Sequence, residues 1–169
     1  PYAQADLVQS ILERYTNVSL YLEKPVAATP SASIRLQNTL KKSNTVYKIG
    51  YLFLYTDWYN TLSKKIHQLN DISIVWRFKA HHLQNSIDAW KSDPKKGGGL
   101  IRFYGIHLIA VLASLKYYNV KDIHLYDNVL IFKVGNNKNR SVTVLIDIDS
   151  QTNEFTISNN INNQIHYHG

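Results

Sequence analysis

Apolar residues recur at helical spacing through roughly the first 115 residues and at alternate positions thereafter. Val8, Ile11, Leu12 and Tyr15 follow the i, i+3, i+4, i+7 rule, predicting a helix with Asp6 as N-cap that ends before Pro25. Residues 26–33, with Pro30, read as a connector. Ser31 or Ser33 then caps a second helix whose stripe is Leu36, Leu40, Ser43, Tyr47, Gly50, Leu54 and Trp58. The most sustained pattern follows: Leu62, Ile66, Leu69, Ser73, Trp76, Ala80, Leu83, Ile87 and Trp90 keep four-three steps, with Asn70-Asp71 as the one interruption. A continuous helix over residues 59–91 would be about 50 Å long and would pack beside its neighbours at shallow angles. Pro94 stops it, and Gly97, Gly98 and Gly99 read as a mobile hinge rather than a ligand-binding loop. A fourth helix carries Tyr104, Leu108, Val111, Leu115 and Tyr118 on one stripe.

Past Asn119 the period falls to two. Residues 123–126, 129–134, 142–148 and 155–157 read as strands, joined by turns at Asp127-Asn128, at residues 135–139 and at residues 150–153. The predicted architecture is α+β: an N-terminal helical bundle with long antiparallel helices, followed by a small antiparallel β-meander. It forms one domain over 1–169, with residues 1–118 helical, residues 119–158 forming the strands and residues 159–169 a frayed tail.

Composition fits a chain that folds on its own core, with 44% apolar and 18% charged residues among 169. Nineteen Lys and Arg against 12 acids give a net charge of +7, which favours acidic partners without choosing among them. The absence of cysteine excludes disulfides, thiol nucleophiles and thiolate zinc sites, and fits an intracellular setting, nuclear or cytoplasmic. Polar Gln4, Asp6, Gln9 and Ser10 argue against a signal peptide, and the apolar run 106–115 is too short for a bilayer core of about 30 Å. No membrane partner is expected.

Candidate chemistry is sparse. His81 and His82 point about 100° apart on a helix, and His82, Asn85 and Asp88 lack a further ligand, so a solvated helix face is the simpler reading. Asp147, Asp149 and Glu154 lack the spacing and central glycine of a calcium loop. Lys95 and Lys96 precede their glycines and follow a helix, the reverse of a phosphate-binding loop. His166 and His168 lie in the tail, and no hydrolase motif appears. An enzyme is therefore not expected, and neither a metal nor a cofactor is assigned. The partner-binding candidates are Trp58, Trp76 and Trp90, as anchors on the apolar stripes, with the basic Lys64, Lys65, Arg77 and Lys79.

The order of these elements resembles one known family, the N-terminal scaffold domain of the fourteenth subunit of the Mediator coactivator. The residues that carry the likeness are Leu7, Leu12 and Arg14, then Leu52, Leu54 and Trp58, then Phe78 and Leu83. Leu112 and Leu115 then lead into strands around Ile131-Phe132-Lys133-Val134. The resemblance implies scaffolding in transcription and no catalytic residues. The expected function is thus a non-enzymatic interaction domain bound to protein subunits of a larger assembly, with no small-molecule substrate evident. A basic nucleic-acid-binding module is the first alternative, and a small nuclease or toxin-like hydrolase the second.

Overall fold

The computed structural model of the chain describes residues 1–85, 90–159 and 165–167. By contacts it forms two compact units: residues 1–51 with 88–106, and residues 52–87 with 107–169.

The first unit opens with α1 (Tyr2–Arg14), β1 (Ser19–Leu22), α2 (Pro30–Lys42) and β2 (Val46–Ile49). Asn17 turns the chain between α1 and β1 at φ 59°, and Asn44 ends α2 at φ 52°, a region that Asn tolerates better than other side chains. Thr29, rather than Ser31 or Ser33, caps α2, accepting from the Ala32 amide at 3.1 Å. Pro30 stands at the first helical position, where its missing N–H costs nothing. β1 and β2 pair in parallel, Ser19 opposite Val46 through Leu22 opposite Ile49. Val8, Leu22, Leu36 and Leu40 form the core beneath them. Each such burial contributes about 1.5–3 kcal/mol. Later in the chain this unit adds a short 3-10 turn at Pro94–Lys96 and a π-helical turn at Leu100–Gly105.

The second unit is built on a mixed sheet of six strands. A 3-10 turn (Leu52–Tyr55), α3 (Asp57–Lys65) and a further turn (Ile66–Gln68) lead into β3 (Asp71–Lys79) and α4 (His81–Gln84). α5 (Ile106–Ser114), which lies in this unit from His107 onward, precedes β4 (Asn119–Leu125), β5 (Val129–Gly135), β6 (Ser141–Asp147), β7 (Asp149–Asn159) and β8 (Ile165–Tyr167). The sheet order is β4-β5-β6-β3-β7-β8. β3 runs parallel to β6 and antiparallel to β7, so it separates two strands that are neighbours in sequence. Ile74, Leu108, Val111, Leu130, Val142, Val144 and Ile146 have no exposed surface.

The bundle-plus-meander expectation is overturned at its centre. No helix spans residues 59–91: α3 stops at Lys65, and Asp71–Lys79 is a strand. Four-three spacing and alternation both pass through Trp76, but Ile72 and Ile74, off the helical stripe, are buried while the stripe position Ser73 is only half-buried. The β-branched and aromatic run Ile-Ser-Ile-Val-Trp-Arg-Phe obeys period two, and that pattern prevails. The second predicted helix likewise breaks at Asn44, because Val46–Ile49 joins the parallel pair. Asp6 lies within α1 and does not cap it. The meander is interrupted by β3, and a piece of the expected frayed tail, Ile165–Tyr167, is a strand paired to Phe155–Ile157. Ile87 and Asp88 fall outside the described residues.

Ile74, fully buried on the central strand, should cost about 2–5 kcal/mol when replaced by Ala. Ser73→Ala should cost far less. Urea denaturation of the two variants checks the assignment, and a helix through this segment would reverse the order.

Candidate active site

The carboxyl ends of parallel strands are where α/β folds place ligands, and β1 and β2 end on the same side. Their ends are tied together by the Gly50 amide donating to Leu22 O at 2.9 Å. Directly beyond β1 come Glu23, Lys24 and Pro25, the last buried and joined to Lys24 by a cis peptide bond. Directly beyond β2 come Gly50 and Tyr51.

The turn after β1 is held from two sides. Gln4 of α1 donates to the carbonyls of Glu23 at 2.8 Å and Val26 at 3.0 Å, and its side-chain oxygen accepts from the Glu23 amide at 2.8 Å. Arg102 of the π-helical turn donates to the carbonyls of Ala27, at 3.0 Å, and Ala28. Two planar, multi-donor side chains thus fix the backbone on either side of Lys24.

The Lys24 ammonium donates to Phe103 O at 2.8 Å and lies 3.9 Å from the Phe103 ring centroid. Lys91 reaches the same ring at 5.4 Å, and Trp90 meets its edge at 5.4 Å. The Lys24 pKa is lowered to about 8, chiefly by burial; Glu23 opposes the shift and Lys91 adds a smaller part of it. A lysine in this state exchanges protons near neutral pH, which ordinary lysines do not. Tyr51 and Tyr104 are both raised by burial, so their hydroxyls stay protonated as hydrogen-bonding groups.

The segment carrying Trp90 and Lys91 depends on glycine. Gly99 N donates to Lys91 O at 2.7 Å and Gly98 N to Asp93 O at 2.9 Å. A Cβ on Gly98 would stand 2.2 Å from Trp90 O and 2.4 Å from Lys91 O. These glycines, expected to form a mobile hinge, form a hydrogen-bonded turn against the backbone they follow. Gly97 and Gly99 take positive φ, which suits them to it.

The partner-binding candidates divide between the two units. Trp58 is buried in α3, and Trp76, half-buried in β3, shares an aromatic cluster with it through Phe53. Phe155 and the buried His107 complete that cluster, His107 stacking on Phe53 at 4.8 Å. Trp90 stands in the first unit, beside Phe103. Lys64 and Lys65 are exposed at the end of α3. Arg77 pairs with Glu154 at 2.6 Å, on the sheet face opposite Trp76, and Lys79 pairs with Asp149 at 3.7 Å. Of the acidic trio, Asp147 and Asp149 are joined by a hydrogen bond from the Asp149 amide, while Glu154 is occupied by Arg77. His82 is buried rather than on a solvated face. Among the described residues no three His, Asp or Glu side chains converge as metal ligands, and no helix is long and apolar enough to cross a membrane.

Sequence reasoning missed Lys24, Arg102 and Phe103. The available signal was the short run Ser19-Leu-Tyr-Leu22, whose β-branch-poor but aromatic-containing pattern directly precedes Glu-Lys-Pro.

No protein-family model matches the chain. Two uncharacterized proteins of Schizosaccharomyces pombe, C12C2.04 and UNK4.17, are each 27% identical over 99 residues, 57% of this chain. Those residues make up 26% and 24% of the two proteins, so the match spans about a quarter of their length. Among solved structures, the WlbA (WbpB) dehydrogenase of Thermus thermophilus aligns over 98% of this chain with TM-score 0.76 and 15% identity, in a complex with NAD and α-ketoglutarate. The same enzyme with NAD and UDP-GlcNAcA gives TM-score 0.75 over 97%. An NAD-binding protein of Listeria innocua gives 0.75 over 94%, at 16% identity. The chain spans 48–57% of the length of these structures.

The fold is therefore one shared with these NAD-binding dehydrogenases, an α/β architecture with a mixed sheet. This overturns the likeness to the Mediator scaffold, whose shared residues were apolar spacings now divided among strands and separate short helices. The non-enzymatic scaffold reading falls with it, as do its nucleic-acid and nuclease alternatives and the assignment to transcription. The expectation of no small-molecule substrate is also overturned, since proteins of this fold are seen holding small molecules.

Two measurements test the site. Amine modification by trinitrobenzenesulfonate, followed by peptide mass spectrometry, should give Lys24 a half-point near pH 8, ahead of the surface lysines. Because its folded pKa lies below the unfolded value of 10.5, the unfolded chain binds more protons between about pH 8 and 10.5, and this group's contribution to stability rises with pH across that window. Gly98→Ala should destabilise by about 1–3 kcal/mol or more, because its neighbours are backbone carbonyls that cannot rotate away. Thermal melting checks the second.

Proposed function

We propose that this chain is the substrate-facing portion of an oxidoreductase acting on a small hydroxy or keto compound, with Lys24 as the proton-exchanging residue. One observation carries the reading. A half-buried lysine with a pKa near 8 is clamped at the carboxyl ends of two parallel strands, in a fold shared with dehydrogenases. Oxidising a hydroxyl requires removal of its proton together with a hydride from the same carbon, and reducing a carbonyl requires delivery of both. The hydride would pass to or from a nicotinamide-class partner that these residues do not hold, and Lys24 handles the proton alone. Lys24 Nζ accepts or supplies it according to pH, and its position is set by Gln4 and Arg102 before substrate arrives. Tyr51 and Tyr104, protonated at neutral pH, serve as orienting hydrogen-bond partners.

The residues present do not fit a complete dinucleotide. None of the seven glycines forms a Gly-x-Gly-x-x-Gly turn after a strand, and the parallel sheet has two strands rather than two nucleotide-binding halves. No step is derived through that cofactor. The cysteine-free composition supports an intracellular placement within the same proposal.

Calorimetric titration of the protein with α-ketoglutarate and UDP-GlcNAcA tests the reading. At least one should bind, and Lys24→Met should weaken binding by about tenfold, the effect of losing one charge-assisted hydrogen bond, while melting stays cooperative. Failure of both ligands to bind, or equal binding by the variant, overturns it.

A further inference from the structure

Lys24 is not the sole cation at the Phe103 ring. Lys91 Nζ lies 5.4 Å from the ring centroid and Lys24 Nζ 3.9 Å, both within the range over which a cation is attracted to an aromatic face. Two ammonium groups around one ring repel each other, and that repulsion needs compensation. Among the described residues no ion pair involves either lysine; the nearby Asp93 carboxylate is engaged by Lys96 at 3.6 Å and by the Lys95 amide. Glu23, whose charge favours the Lys24 ammonium, is exposed. The ring therefore attracts the two cations without neutralising them.

The arrangement is also built rather than incidental. The Lys91 backbone is held by the Gly99 amide and by the close approach of Gly98, which no side chain could replace. Lys24 is held by the Gln4 and Arg102 clamp and spends one of its three N–H groups on Phe103 O. Donors remain on both ammonium groups. Two cations with spare donors at one apolar ring suit an oxyanion, whose charge offsets their repulsion.

We propose that Lys24 and Lys91, held around the Phe103 ring, bind a carboxylate or phosphate group of the substrate, and that Lys91 is thereby the residue that selects acidic substrates. The proposal rests on the reading of Lys24 as a substrate residue. It narrows the substrate to hydroxy or keto compounds that carry an anionic group. Lys91 is exposed and outside both cores, so its neutral variant should fold normally.

The test follows Lys24 modification by trinitrobenzenesulfonate at pH 8 in wild type and Lys91→Gln, with added α-ketoglutarate, UDP or neutral N-acetylglucosamine, and with sodium chloride matched for ionic strength. The expected result is protection of Lys24 by α-ketoglutarate, by UDP or by both, the effective one naming carboxylate or phosphate. In Lys91→Gln the concentration required should rise about tenfold. Sodium chloride and N-acetylglucosamine should protect weakly and equally in both proteins. Protection unchanged in Lys91→Gln, protection equalled by sodium chloride, or protection by neither anion overturns the proposal. If Lys24 shows its half-point near pH 8 but no Lys91-dependent protection, the anion site alone fails. If Lys24 titrates as a surface lysine, the parent reading fails first.

Discussion

The first unit depends on keeping a lysine where a lysine is costly. A half-buried ammonium loses hydration, and one carbonyl and one aromatic face offset only part of the loss, which is why its pKa is lowered. That balance holds only while the turn after β1 stays in place. Gln4 satisfies three main-chain groups on one side of the turn, and Arg102 two on the other. Around this requirement the other local features make sense. α1 exists to present Gln4 while Val8 anchors it to the core. The π-helical turn brings Arg102, Phe103 and Tyr104 together in successive positions, and buried Ala27 and Ala28 leave their carbonyls open to the guanidinium.

The second unit solves a different problem. Its sheet is built around a strand inserted between two sequence neighbours, with β3 paired to β6 in parallel and to β7 in antiparallel register. The inward residues Ile72 and Ile74 are buried, while outward Arg77 meets Glu154 directly across the strand pair. On the inward side Phe53 gathers Trp58, Trp76, Phe155 and His107. Edge-to-face and offset contacts of this kind stabilise beyond area burial, by about 0.5–1.5 kcal/mol per pair. The tryptophans that looked like interface anchors are, for Trp58 and Trp76, members of this cluster.

What was legible in the sequence was local. β5 and β6 lie within a position of their period-two segments, whereas β7 runs straight through the turn expected at residues 150–153, and Leu36 and Leu40 are buried on α2 as their spacing implies. What was illegible depended on partners distant in the chain. β3 carries residues that fit both a helical stripe and an alternating strand, and the choice is made by strands some 70 residues away, as the Ser141 to Asp71 hydrogen bond shows. Lys24 left no motif because its clamp binds main-chain carbonyls, which have no residue signature. The glycines at 97–99 read as flexible because sequence shows only missing side chains; the structure shows the carbonyls that occupy that space. The same blindness produced the false likeness to a helical scaffold, which shared spacings but no contacts.

The most direct measurement of the central claim is a crystal structure of the protein soaked with α-ketoglutarate. The account predicts a ligand oxygen within hydrogen-bonding distance of Lys24 Nζ, about 2.7–3.2 Å, with the Gln4 and Arg102 contacts to the turn intact. A ligand bound away from Lys24, or a Lys24 side chain turned out to solvent with its turn released from Gln4 and Arg102, would contradict it.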